Sequence, residues 1–134
     1  MMLNTTVTFK RRPVGAPVAE DFDIVQGPLP ALSDGEVLVA SRYVSIDPYV
    51  RVRTQIDPAN PYGKPLAFGD PIPGDIAGEV IASRNGDWPE GILVVGRFGW
   101  RGHALSDGGN LRALGPALGP LPRMAARNWW TKGL

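Results

Sequence analysis

The stretch EVLVASRYVSIDPYVR, residues 36–51, decides how the rest of the chain is read. It mixes Val37, Val39, Val44 and Ile46 with Ser41, Arg42 and Ser45, as in a β-strand that is buried for part of its length. Asp47 then precedes Pro48, whose ring drives Asp47 toward an extended conformation and itself suits the first position of a helix. The strand predicted over 36–46 therefore gives way to a short helical turn in PYVRVRTQI, residues 48–56. An Asp at such a boundary is placed to cap the N–H groups of the following turn. Tyr49 falls within that turn, where its ring can wall a cleft while its hydroxyl reaches a polar group. Arg51 and Arg53 either pair with Asp47 or line the rim of that cleft.

Working outward, further β-branched and apolar runs predict strands over 5–10, 22–26, 76–83, 92–98, 102–106 and 111–114. The seventeen glycines and fourteen prolines fall between these runs rather than in one tract. The connections GPLPAL, SDGE, IPGD, NGDWPEG and SDGGN have the chemistry of turns. Many short strands at this spacing predict a mainly β domain, a barrel or a sandwich.

Length and charge narrow the function. At 134 residues the chain suits one domain with a single core, because a complete two-domain enzyme needs on the order of 100–150 residues for each half. Fourteen Lys and Arg against thirteen Asp and Glu leave a net charge of +1, so no net field would hold nucleic acid or an anionic membrane. The expected partner is small or neutral. Cysteine is absent, which removes disulfides and thiolate metal sites and fits a reducing cytoplasm. No apolar run approaches the roughly 20 residues of a membrane span, and the N-terminus lacks the apolar core of a signal peptide.

Zinc draws on Cys, His and carboxylates, and the single histidine, His103, cannot supply the usual three or four N and S ligands. His103 reads as an edge or surface residue of its strand rather than a general base, since no orienting partner is evident. No G-x-S-x-G elbow, Walker loop or G-x-G-x-x-G is present. From residue 111 onward there is no acidic residue, while Arg112, Arg123, Arg127 and Lys132 remain. This shift divides the chain into a domain over 1–120 and a basic, Trp-containing tail over 121–134.

Three segments in order, EVLVASRYVSIDPYVR, PYGKPLAFGDPIPGDIAGEVIAS and GRFGWRGHALSDGGNLRAL, resemble the N-terminal domain of the medium-chain dehydrogenase/reductase superfamily. The similarity is to its zinc-independent branch, that of leukotriene B4 12-hydroxydehydrogenases, prostaglandin reductases and alkenal double-bond reductases. The resemblance implies a GroES-like, partly open β-barrel that forms one side of a substrate cleft. The other side is a Rossmann domain that binds NADPH. The implied substrate is a small α,β-unsaturated aldehyde or ketone, which takes hydride at its β-carbon and a proton at its α-carbon. The protein's task is then to orient the enone and exclude water, with no metal.

Carried over by position, the resemblance makes Tyr49 a wall of the substrate cleft, Tyr62 in NPYGKP a second wall, and Ser45 the end of the strand that presents the first metal ligand in zinc-dependent relatives. Asp47 and Arg51 are the residues that fix the turn. Where those relatives carry a His-Glu pair after the glycine matching Gly74, this chain has Asp75 and Ile76. Two departures are visible. Ile92 stands where the family has an Asp in the turn before the GW strand, and after PALGPLP the sequence reads RMAARNWWTKGL where the family continues into its NADPH domain. The expectation is a truncated or frame-disrupted member, inactive alone, with an apolar inter-domain face open to self-association. A non-catalytic β-barrel binding module is the alternative.

Overall fold

A computed structural model of the chain describes residues 3–114. The basic tail and the domain boundary expected near residue 120 lie outside the described residues. β1 (Leu3–Phe9) and β2 (Phe22–Pro28) pair antiparallel and are joined by a loop that ends in a 3-10 turn at Ala19–Asp21. β3 (Val37–Val44) leads into the helix α1 (Pro48–Arg53). β4 (Asp75–Ser83), β5 (Leu93–Arg97), β6 (His103–Ser106) and β7 (Leu111–Ala113) complete a five-stranded antiparallel sheet with the order β6-β3-β4-β5-β7.

The expected strands are all found, with ends displaced by one or two residues. The helix stops three residues early, at Arg53 rather than at 56. Its last carbonyls find partners elsewhere: Thr54 Oγ1 donates to Arg51 O at 2.6 Å, and the N–H of Leu66 donates to Arg53 O at 2.8 Å. The loop thereby satisfies groups that another helical turn would have served.

Strand β3 is buried along its first half and emerges along its second. Over Val37–Ala40 it is flanked by β6 and β4, but beyond Ala40 only β4 continues beside it. Register shifts at Leu38/Val39 and Ser41/Tyr43 increase the local twist and turn the strand's exit away from the sheet. The free edge of β1 is occupied by the 71–102 segment. Val7 N–H donates to Trp100 O at 2.9 Å, and Gly102 N–H donates to Thr5 O at 2.8 Å. The two sheets are thus tied into a curled, mainly β half-barrel.

Two cores result. Val37, Val39, Ile76, Val80 and Val94 form the first, with Phe98, Leu111 and Ile92 packed against it. Ile92, in the turn where the resemblance led to an Asp, thus serves the core. Phe9, Val50, Leu66 and Ile72 form the second, covered by Phe22, Tyr49 and Trp100. Phe98 and Trp100 send one aromatic ring into each core, and Gly99 between them makes the reversal possible. Its φ is +77°, and a Cβ there would lie 2.7 Å from Ile72 O, so no other residue type fits that backbone without strain.

Candidate functional site

The exit of β3 is anchored through Ser45, which is 4% exposed. Its backbone N–H donates to Asp75 O at 2.8 Å, and its carbonyl accepts the indole N–H of Trp100 at 3.2 Å. Its hydroxyl donates to Asp47 Oδ2 at 2.6 Å. Asp47 stands at the N-cap of α1 in extended conformation, as Pro48 at the next position requires. Its carboxylate does not cap the helix, however, and no side-chain cap bond is made. The cap expectation is corrected here: a serine hydroxyl two residues back competes for the same oxygen, and a short O–H···O⁻ bond outweighs a strained reach to the first turn.

Arg51 and Arg53 do not pair with Asp47. Arg51 donates to Thr54 Oγ1 at 3.1 Å and to Gly15 O at 2.7 Å, which draws the β1–β2 loop onto the helix. Arg53 donates to Lys64 O at 3.0 Å and holds the following loop. That loop carries Tyr62. Asn60 shapes its turn, accepting the Tyr62 N–H at 2.8 Å and donating to Gly63 O at 3.2 Å.

Tyr49 is half-buried against the second core, and its ring lies 6.2 Å from that of Tyr62 at an angle of 36°. Tyr62 is 55% exposed. Burial is the main cause that pushes the Tyr49 phenol above its ordinary value, with Asp75 and Asp47 pushing the same way and Arg97 and Arg53 opposing. The hydroxyl therefore stays protonated across the neutral range. Arg97 and Asp75, opposite each other on β5 and β4, form an ion pair at 3.1 Å beside it. That pair holds the Arg97 guanidinium above its ordinary value, chiefly through the hydrogen bond to Asp75.

Gly74 closes the cluster. A Cβ on it would sit 2.8 Å from the Trp100 indole nitrogen and 3.0 Å from Ser45 O. Asp75 and Ile76, which follow it, do different work: Asp75 pairs with Arg97, and Ile76 is fully buried in the sheet core. Among the described residues, no three of His, Cys, Asp and Glu converge in a way that could hold a metal ion. His103 lies in the edge strand β6 with its Nδ1 buried and unpaired, and burial, with a smaller push from Arg42, lowers its pKa.

Two cavities flank this segment. An apolar groove of about 390 Å³ runs beside Val7, Val44, Ile46 and Trp100. Ile46 is 80% exposed at its mouth. A more polar basin of about 440 Å³ lies between β5 and β7, against the Asp75–Arg97 pair. Neither Tyr49 nor Tyr62 lines either cavity; their paired rings lie outside both. The structure thus brings Ser45, Asp47 and Tyr49 together on one short segment, sets Tyr62 beside Tyr49, and turns Arg51 away toward the β1–β2 loop.

Trp100 and Arg97 carry much of this geometry and are not among the residues that the sequence pointed to. The signal for Arg97 was a charge facing Asp75 at the ends of two neighbouring strands, which becomes legible only once the register is known. For Trp100 it was an indole in a turn, where a buried N–H must find a partner.

No helix among the described residues is long and apolar enough to cross a membrane. Residues 5–114 match a family described as the N-terminal domain of oxidoreductase. Prostaglandin reductase 1 from Rattus norvegicus is 37% identical over 114 residues, which cover 85% of this chain and 32% of that protein. The NADPH-dependent curcumin reductase of Escherichia coli (strain K12) is 35% identical over 104 residues, 78% of this chain and 30% of that one. The crystal structure of CurA from Vibrio vulnificus superposes with a TM-score of 0.76 at 34% identity over 82% of this chain and 32% of that one. Its complex with NADPH gives 0.75 over the same shares. The chain spans about a third of the length of these relatives.

Proposed function

The chain belongs to the family of oxidoreductase N-terminal domains, and on that footing we propose that it is the substrate-cleft domain of an NADPH-dependent reductase of α,β-unsaturated carbonyl compounds. The observation that carries the reading is the Tyr49–Tyr62 pair, two adjacent rings whose segments are held by the Ser45–Asp47 and Tyr62–Asn60 hydrogen bonds. The names of its relatives, a prostaglandin reductase and an NADPH-dependent curcumin reductase, set the class of substrate considered.

In this reading the two tyrosine faces wall a flat conjugated carbonyl, and aromatic surface suits a planar π-system. Tyr49, a neutral phenol whose pKa burial raises further, can donate its hydroxyl hydrogen bond to the carbonyl oxygen. Ser45 and Asp47 fix the exit of β3 beneath it, and Arg51 fixes the helix against the neighbouring loop. The described residues do not fit a dinucleotide. α1 is the only α-helix among them, and its N-terminus carries the Asp47 carboxylate, the wrong charge for a pyrophosphate. The contribution of these residues is to bind, orient and desolvate the enone.

The test uses the purified 134-residue chain. Mixed with NADPH and hydroxynonenal, it is expected to leave nicotinamide absorbance unchanged, yet to bind the alkenal by intrinsic fluorescence. Tyr49→Ala should weaken that binding by about tenfold, the loss of one well-packed aromatic contact of roughly 1–1.5 kcal/mol. Turnover above background would refute the assignment of a non-catalytic half, and binding unaffected by Tyr49→Ala would refute the cleft.

A further inference from the structure

The basin between β5 and β7 is lined by Asp75, Arg97, Asn110 and Arg112, with Val95 on the same face of the sheet. Strand register places the two arginines on one face. Arg112 on β7 is directly opposite Val95 on β5, and Arg97 lies two residues along from Val95, on the same side of the pleat. The charges are unequal in number. Asp75 accepts from Arg97 Nε at 3.1 Å, which leaves the terminal nitrogens of that guanidinium as open donors. Arg112 has no ion-pair or hydrogen-bond partner for its side chain among the described residues.

Asn110 adds a neutral donor. Its Oδ1 accepts the Ser106 hydroxyl at 2.5 Å, so its amide NH₂ is turned to the other side. Two guanidinium groups and an amide NH₂ against one carboxylate give a net positive wall. A folded chain leaves such a wall unneutralised only at surface positions, and a cavity raises its effect by excluding part of the solvent.

We propose that this basin binds an anionic oxygen group, the carboxylate or phosphate of a small molecule. Arg112 is the specificity-determining residue, and the Asp75–Arg97 pair orients the second guanidinium toward the same group. The inference is independent of the enone-cleft reading: a guanidinium offers parallel N–H donors that match the two oxygens of a carboxylate or phosphate.

The experiment titrates the 134-residue chain with octanoate, methyl octanoate, octenal and inorganic phosphate, read by calorimetry and intrinsic fluorescence. Octanoate should bind about tenfold tighter than its methyl ester, as one charge-assisted contact of roughly 1.5 kcal/mol predicts. Arg112→Gln should cut that preference to under about twofold and leave octenal binding unchanged, while Arg112→Lys should retain part of it. Arg112 is exposed, so neither variant endangers the fold.

Equal binding of acid and ester, or a preference that survives Arg112→Gln, overturns the anion subsite. Displacement of octanoate by inorganic phosphate keeps the subsite and assigns it to a phosphate group; no displacement assigns it to a carboxylate. Octenal binding with no acid preference removes this inference and spares the enone cleft. An Arg112-dependent acid preference without octenal binding does the reverse.

Discussion

Gly74→Ala tests whether the segment bearing Ser45 and Tyr49 is held by the indole of Trp100. The new Cβ would lie 2.8 Å from Trp100 Nε1 and 3.0 Å from both Ser45 O and Trp100 Cδ1, well inside contact distance. Since one neighbour is a backbone oxygen, the indole must move, and with it goes the bond from Nε1 to Ser45 O. Overpacking of this kind costs about 1–3 kcal/mol, and the lost hydrogen bond about 1 kcal/mol more. Against this, alanine narrows the unfolded ensemble and returns roughly 0.4–1 kcal/mol, because φ at Gly74 is not in the left-handed region. The net expectation is a loss of about 1–3.5 kcal/mol, or about 4–14 °C in Tm for a domain of this size. Urea denaturation followed by far-UV circular dichroism measures it. Gly86→Ala, where no atom lies within 4 Å of the added carbon, is the control and should stay within about 0.5 kcal/mol of the parent. In the Trp100→Phe background the Gly74→Ala penalty should shrink by about 1 kcal/mol, because the indole bond to Ser45 O that the new methyl would break is already absent. A Gly74→Ala protein as stable as the Gly86→Ala control would refute this account of the anchor.

Two further outcomes follow from groups outside the cleft. Asp21 is buried, accepting from the Val18 N–H and from Arg11 Nε, each at 2.9 Å, and its pKa is lowered, first by the Val18 bond. Its folded pKa lies below the ordinary 3.8, so its contribution is complete above that value and is lost as pH falls through the folded pKa. Denaturation midpoints should therefore drop steeply below about pH 4, and Asp21→Asn should flatten that limb; an unchanged acid limb in the variant would count against it. Arg51→Met removes the bonds to Gly15 O and Thr54 Oγ1. Since Arg51 is exposed, global stability should change by no more than about 1 kcal/mol, while thermolysin cleavage near Val14 accelerates; equal cleavage rates would show that Arg51 does not hold that loop.

The strands were legible because each is a short β-branched or apolar run fenced by turn chemistry, and both signals are local. The same is true of the Asp47–Pro48 break, where a ring clash acts on the preceding residue alone. The partners of Asp47 and Arg51 were not legible, since proximity in sequence suggested a pair between them. The carboxylate is taken by Ser45, two residues away, and the guanidinium by Gly15 O, thirty-six residues away. The second of these depends on how the β1–β2 loop returns to the helix. The Asp75–Arg97 pair was hidden for a related reason: period-two alternation tells which face a residue takes but not which residue stands opposite.

What fixes the candidate site is therefore less its own side chains than the junction of the two cores. Ser45 is held through its backbone on both sides, by Asp75 O and by the Trp100 indole, and its hydroxyl is spent on Asp47. Trp100 in turn is set by the reversal at Gly99, with Phe98 rooted in the sheet core and the indole in the other. Tyr49 packs against the second core, beside a segment that Ser45 ties to β4 and to Trp100, so its displacement would disturb these contacts and its position is rigid. Tyr62 is different. It is exposed on a loop shaped by the Asn60 turn and tied to α1 through Arg53, so few buried contacts oppose its displacement. On the proposed reading, a rigid tyrosine facing an adaptable one suits a cleft that fixes a conjugated carbonyl while accepting different substituents around it, so that discrimination among substrates would fall to Tyr62 rather than to Tyr49.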